Sequence, residues 1–382
     1  MNVLNYINNE TTTVNSIELP FNETYELFRN KLNVYVNTDK DYDNCYLLKT
    51  DEEKSNLENK AVRDCQGLIL EKDTNKILCY PHSRCYRFED FKYDGNWDNV
   101  IINHLNDGTR IHVWWNETYK QWIVSTGGCI NAKKANWAHP KTFWQSFTEV
   151  LNKYPNSSLY STIIKNEDKM VKSITYMFML CTKEQKNIIE YKDNKLIHTG
   201  SRCNITGEYI DSNLGIPKPE LVSKEEFDIV KSIMEGSDPD SLNTNNFGYI
   251  ITLEDNTRYK IEMSKLKYLK ELKGNNRDMT YHMLCLNKEN KINEFLSHFP
   301  EYESMWKRIL SGITHISKQI FHQYHQKYVK KQTVKFSPQY YPTIIKLHED
   351  YMKSRKPTTP DMVYSLVNSY PSNLLTSLIK SL

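Results

Sequence analysis

The stretch NVIINHLNDGTRIHVWW, residues 99–115, decides how the chain is read. An apolar, β-branched run (Val100 to Ile102) and a second β-rich run (Thr109 to Trp115) flank an Asp-Gly step. That pattern predicts two strands meeting at a turn. Segments of the same kind lie on both sides. GLILE (67–71), KILCYP (76–81), QWIVSTGG (121–128), ITYMFMLCT (174–182), NIIEYKDNKLIHTG (187–200) and NFGYIITLEDNTRYKIEM (246–263) are short β-rich runs separated by turn residues. They predict antiparallel strands joined by hairpins.

Helical spacing interrupts this pattern twice, in NETYELFRNKL (22–32) and in HPKTFWQSFTEVLNKY (139–154). Beyond Arg277 strand signals stop. Apolar residues then recur at spacings of three and four, punctuated by Pro338, Pro342, Pro357 and Pro360, as in a bundle of helices. The expectation is an α+β antiparallel sheet domain over residues 1–274 and an all-helical C-terminal domain over 275–382.

Composition narrows the function classes. Fifty Lys and Arg against 47 Asp and Glu leave a net charge of only +3, so any polyanion surface has to come from local clustering. The eight cysteines (45, 65, 79, 85, 129, 181, 203, 285) form no CxxC pair and no Cys/His metal spacing, which reads as reduced thiols rather than zinc ligands. No signal-type segment opens the sequence and no apolar run reaches membrane length, so a cytoplasmic protein is expected. Abundant Asn, Lys and Tyr beside 12 Gly and 13 Pro fit an AT-rich coding sequence of plasmid or viral origin.

Taken in order, the strand-borne segments resemble the adenylating domain of phage-type ATP-dependent RNA ligases, the tRNA-repair ligases of the covalent nucleotidyltransferase superfamily. VRDCQGLILE (62–71) resembles the family's segment ahead of the active site, and PHSRCYRFEDF (81–91) its Pro-x-x-Lys-Phe-Phe-Asn segment. LNDG (105–108) stands where the family has Lys-x-Asp-Gly, and VSTGGCI (124–130) where it has Ser-Lys/Arg-Gly-Ser. TYMFMLCTKEQKNIIEY (175–191) resembles the Phe-Glu-Leu strand, followed by HTGSRCNITGE (198–208). Residues 246–263 resemble Glu-Gly-Tyr-Val followed by Lys-x-Lys. The order holds over roughly residues 60–270.

In that family a lysine attacks the α-phosphate of ATP, and carboxylates and lysines position metal, ribose and triphosphate. Here the nucleophile position is Leu105, which has no lone pair to attack with. The basic residue of the second strand becomes Thr126, the two glutamates become Met179 and Phe247, and one of the paired lysines becomes Glu262; Asp107, Gly108 and Lys260 are retained. His104 is adjacent but should face the opposite side of the strand. Lys92 and Lys133 lie too far along the chain to be assigned by spacing. A buried carboxylate without its cationic partner costs about 3 to 5 kcal/mol. Leu105, Met179 and Phe247 are therefore expected to pack as apolar filler in a dead nucleotide crevice, with no cofactor and no metal.

The surface that once met RNA is then the part expected to stay in use. Basic residues interleaved with aromatics suit phosphate contacts and base stacking. Arg84, Tyr86 and Arg87 form one such patch, Lys133, Lys134 and Trp137 a second. Tyr324, Lys327, Tyr328, Lys330 and Lys331, with Lys335 beyond, form a third. His315, His322 and His325 share a helix face but lack carboxylate or Cys support, so they read as polar helix positions. The resemblance implies a pseudoenzyme that binds RNA, with tRNA, the substrate class of the resembled ligases, as its partner. An immunity (antitoxin) role against an anticodon nuclease, with that nuclease toxin as a second partner, is its specific form. The alternatives are a divergent ligase still sealing RNA ends and a protein-protein module that neutralises a toxin.

Overall fold

A computed structural model describes residues 21–382 except 52, 92, 137–139, 184–186, 238–246, 275, 277 and 334–335. It divides into two compact units, Met1–Lys267 and Tyr268–Leu382.

The first unit is an α+β assembly of three four-stranded sheets. Its strands in chain order are β1 (Val34–Thr38), β2 (Cys45–Thr50), β3 (Gln66–Glu71), β4 (Ile77–Cys79), β5 (Tyr86–Arg87), β6 (Ile101–His104), β7 (Thr109–Asn116), β8 (Gln121–Thr126), β9 (Ile174–Cys181), β10 (Lys195–Cys203), β11 (Gly248–Thr252) and β12 (Arg258–Glu262). The sheet orders are β1-β2-β3-β4, β10-β9-β7-β8 and β5-β12-β11-β6. Pairing is antiparallel apart from the short β5–β12 contact. The expected break at the Asp-Gly step is real but is not a hairpin: β6 pairs with β11 and β7 with β8 and β9, so the chain changes sheets across Leu105–Gly108.

Alternation explains which face of each strand is buried. Ile111 and Val113 of β7 and Tyr176 and Phe178 of β9 pack against Phe143, Phe147 and Val150 of the helix Phe143–Leu151. Thr142 and Gln145 start that helix with a capping box. The opposite face carries Trp114 and Ile123, which meet Leu47, Ile69 and Cys79 of the first sheet. In the third sheet Tyr249, Ile251, Tyr259 and Ile261 pack with Val230 and Ile233 of the helix Lys224–Met234. Arg258, Lys260 and Glu262, the alternate residues of β12, are left half-exposed on its other face.

One expected strand is absent. NIIEYKDNKLIHTG pairs only from Lys195 onward, because the N–H groups of Ile188 and Ile189 go to the Asp107 carboxylate (2.6 and 3.0 Å) instead of a ladder.

The second unit is helical. Its longest helix, Glu303–Tyr324, buries Trp306, Ile309, Ile313, Ile316 and Ile320 along one stripe. It packs with the helices Tyr341–Ser354, Pro360–Asn368 and Ser372–Lys380. Among the described residues no helix is long and apolar enough to cross a membrane.

Candidate functional site

Leu105 follows β6 and donates its N–H to Gly248 O at 2.9 Å. Gly248 has φ +152, and a Cβ there would lie 2.1 Å from Ile261 O, so only glycine permits this approach of β11 to β12. Leu105, Met179 and Phe247 are each half-buried. The expectation that they fill a closed crevice therefore needs correction: all three positions remain partly open to water. His104 turns toward the helix side of the sheet, 3.5 Å from Glu226 and beside the Tyr249 ring. Thr126 is buried, its hydroxyl accepting from the N–H groups of Gly128 (3.3 Å) and Cys129 (3.1 Å).

Asp107, Lys260 and Glu262 have structural partners. Asp107 accepts from Asn187 Nδ2 at 2.7 Å as well as from Ile188 and Ile189, and its own N–H donates to Tyr191 OH at 2.8 Å. It ties down the loop after β9. Lys260 and Glu262 pair with each other at 2.7 Å across one face of β12. Gly108 is required for packing: a Cβ there would lie 2.4 Å from Leu180 O.

Cationic chemistry gathers elsewhere in this unit, around a cavity of about 550 Å³. Five cationic side chains (Lys60, Arg63, Arg84, Arg202, Arg258) line it against three carboxylates (Asp64, Glu208, Asp255). Two of the guanidiniums are backed by tyrosine rings. Arg63 lies 3.6 Å over Tyr86, and its Nη1 donates to the carbonyls of Arg84 (3.3 Å) and Cys85 (3.0 Å). Its Nε is buried without a partner, and desolvation pulls the guanidinium below its ordinary pKa. Arg202 lies 3.4 Å over Tyr80, with Tyr209 at 5.1 Å. Its Nε donates to Gly207 O (2.7 Å) and its Nη1 to Pro81 O (3.0 Å).

Asp64 holds this wall together. It accepts from Tyr80 OH at 2.9 Å and from the Ser83 hydroxyl, and sits 3.8 Å from Arg202. His82 stacks on Tyr209 and contacts its hydroxyl at 3.1 Å; desolvation, with Arg258 and Arg202 beside it, keeps it neutral by pushing its pKa well down. Rings and carbonyls thus fix the direction of two guanidiniums before any ligand arrives. Such preorganised donors recognise phosphate oxygens without an ordering cost.

Of the sequence-derived patches, only Arg84 and Tyr86 line the cavity. Tyr86 is not a stacking platform, since the Arg63 guanidinium covers one face and Tyr259 lies 5.5 Å away. Arg87 is exposed on β5. Lys133 lies 4.8 Å over the Trp144 ring, and Lys134 is paired with Asp41 (2.6 Å) and Asp39 (3.3 Å). Trp137 and Lys335 lie outside the described residues.

In the helical unit Lys327, Lys330 and Lys331 are exposed, but the expected aromatic partners turn inward. Tyr324 is buried and Tyr328 stacks on His348 at 3.8 Å, because both rings fill the interface between the helices Glu303–Tyr324 and Tyr341–Ser354. Among the described residues no group of three or more His, Cys, Asp or Glu is placed to hold a metal.

Arg63, Asp64, Arg202 and Arg258 lie in the segments 62–71, 198–208 and 246–263, where no spacing marks them as a set. The available signal was the Arg63-Asp64 pair in KAVRDC, two charges set among Ala61, Val62 and Cys65, all buried. Charges in such a setting are paired or functional.

Solved structures similar to this chain include three described as ligases. "Archaeal ATP-dependent RNA ligase - form 1" is 11% identical, with 70% of this chain and 68% of that chain covered and a TM-score of 0.40. A putative ATP-dependent DNA ligase from Aquifex aeolicus is 15% identical, with 75% of each chain covered and a TM-score of 0.39. "Archaeal ATP-dependent RNA ligase - form 2" is 11% identical, with 78% and 83% covered and a TM-score of 0.42. No protein-family model and no curated protein matches the chain.

Proposed function

We propose that the protein is a catalytically inactive, RNA-ligase-like RNA-binding protein: a nucleotidyltransferase-type domain that retains phosphate recognition without nucleotidyl transfer. The observation that carries the reading is the cavity whose two ring-backed guanidiniums, Arg63 and Arg202, stand with Arg84 and Arg258 on its walls. Loss of transfer chemistry rests on Leu105, an alkyl side chain at the position where the resembled ligases carry their lysine. The RNA we assign is tRNA, and the role is immunity, in which a bound anticodon loop is withheld from a nuclease.

The test combines binding and label transfer. Labelled bulk tRNA should bind with an affinity that falls as salt rises. Arg258→Gln and Arg84→Gln should each weaken binding and flatten the log-log salt dependence by up to about 0.7 to 0.9. ATP labelled at the α-phosphate should leave no label on the protein. A protein–AMP band would overturn the inactivity, and undiminished tRNA binding by a folded variant carrying both Arg84→Gln and Arg258→Gln would overturn the assignment of this cavity. Expression beside an anticodon nuclease, with tRNA cleavage as the readout, tests the immunity role.

A further inference from the structure

Positive charge does not stop at the cavity wall. Arg84 Nη1 lies 3.4 Å from Thr50 Oγ1, which is 2.5 Å from the Gln66 carboxamide. With its oxygen turned toward Arg110, that carboxamide accepts from Arg110 Nη1 at 2.7 Å and Nη2 at 2.5 Å. One hydroxyl and one amide therefore link the guanidiniums of Arg84 and Arg110 in a fixed row. Arg110 is exposed on β7, as is Lys49 on β2.

Two consecutive glycines lie between them. A Cβ on Gly127 would sit 3.0 Å from Arg110 Nη2, and one on Gly128 would sit 3.7 Å from Lys49 Nζ. Bare backbone thus separates the two cations, in a turn that Thr126 pins from beneath. A sugar-phosphate chain can approach such a surface more closely than one carrying side chains.

We propose that this row is a track for single-stranded polynucleotide: one nucleotide occupies the cavity, and the phosphates that follow cross Arg84 to Arg110 and Lys49 over Gly127–Gly128. The inference rests on the RNA-binding reading and gives it a substrate class. A cavity of about 550 Å³ accepts a small-molecule-sized group such as one nucleotide and excludes a duplex. Arg110 and Lys49 are not part of the cavity lining, so a mononucleotide held in the cavity ends short of them, whereas a continuous strand carries one phosphate after another along the row.

The test measures anisotropy of labelled oligouridylates of one, two, four and eight nucleotides, and of a blunt duplex, at several salt concentrations. Affinity should rise from one to about four nucleotides and then level off, with the duplex bound at least about tenfold more weakly than the tetramer. Arg110→Gln and Lys49→Gln, each a change at an exposed position, should reduce the gain from one to four nucleotides. Each should also lower the tetramer's log-log salt slope by up to about 0.7. Circular dichroism on each variant shows that the fold persists. Equal affinity for one and eight nucleotides, lost in Arg258→Gln, would overturn the track while leaving the cavity assignment standing. Loss of the length gain in neither variant would do the same. No binding at any length would overturn both.

Discussion

Acidification should destabilise the sheet unit well above the pH at which carboxylates titrate, because His112 and His198, like His82, are held in neutral form. His112 on β7 is enclosed beside Arg110, its Nδ1 unpartnered, and burial pushes its pKa down to about 3. His198 on β10 is enclosed with Nε2 2.9 Å from Ser201 Oγ, and burial pushes it down to about 4. In the unfolded chain both take up a proton near pH 6.5. Between pH 6.5 and the folded values the unfolded state therefore binds more protons, and stability falls as pH falls. Each histidine removes about 1.4 kcal/mol per pH unit once its unfolded form is fully charged. From pH 7 to pH 5 the pair should cost about 4 kcal/mol, a large share of a total of about 5 to 15. Urea titrations followed by tryptophan fluorescence at pH 7, 6 and 5 measure this directly. His112→Gln and His198→Gln together should flatten the dependence even if they lower stability at pH 7. A midpoint that stays constant from pH 7 to 5, or a slope unaltered in the double variant, would refute the neutral burial of these rings.

Leu105→Lys should restore no protein–AMP formation, since Met179 and Phe247 provide no carboxylate for a metal. Because Leu105 is half-buried, the ammonium reaches water, and the unfolding free energy should change by less than about 1 kcal/mol in a urea titration. Asp107→Ala removes the acceptor for three N–H donors, which should cost about 1.5 to 3 kcal/mol. It should also expose the amides of Ile188 and Ile189 to rapid hydrogen exchange, while exchange in the helical unit stays as it was.

Local pattern carried much of the architecture. Two-residue alternation in TRIHVWW and RYKIE marks β7 and β12 because a strand's buried face repeats with that period. Spacings of three and four in residues 303–324 mark the long helix for the same kind of reason. The alkyl side chain at Leu105 is likewise a property of the sequence alone, since no folding gives it a nucleophile.

Tertiary structure decided what that pattern leaves open. NIIEY has the composition of a strand, but Asp107, some eighty positions earlier, competes for its N–H groups and wins. Tyr324 and Tyr328 have the right neighbours for base stacking, yet inter-helix packing takes both rings. The charged site shows the limit most clearly. Arg63 lies in the last turn of a short helix before β3, Arg202 belongs to β10 and Arg258 to β12. Apolar burial has a period that each element displays by itself, whereas a cluster of charges has none. Which arginines converge is set by the order in which strands pair and by the rings that happen to lie beneath them, and a linear sequence does not display either.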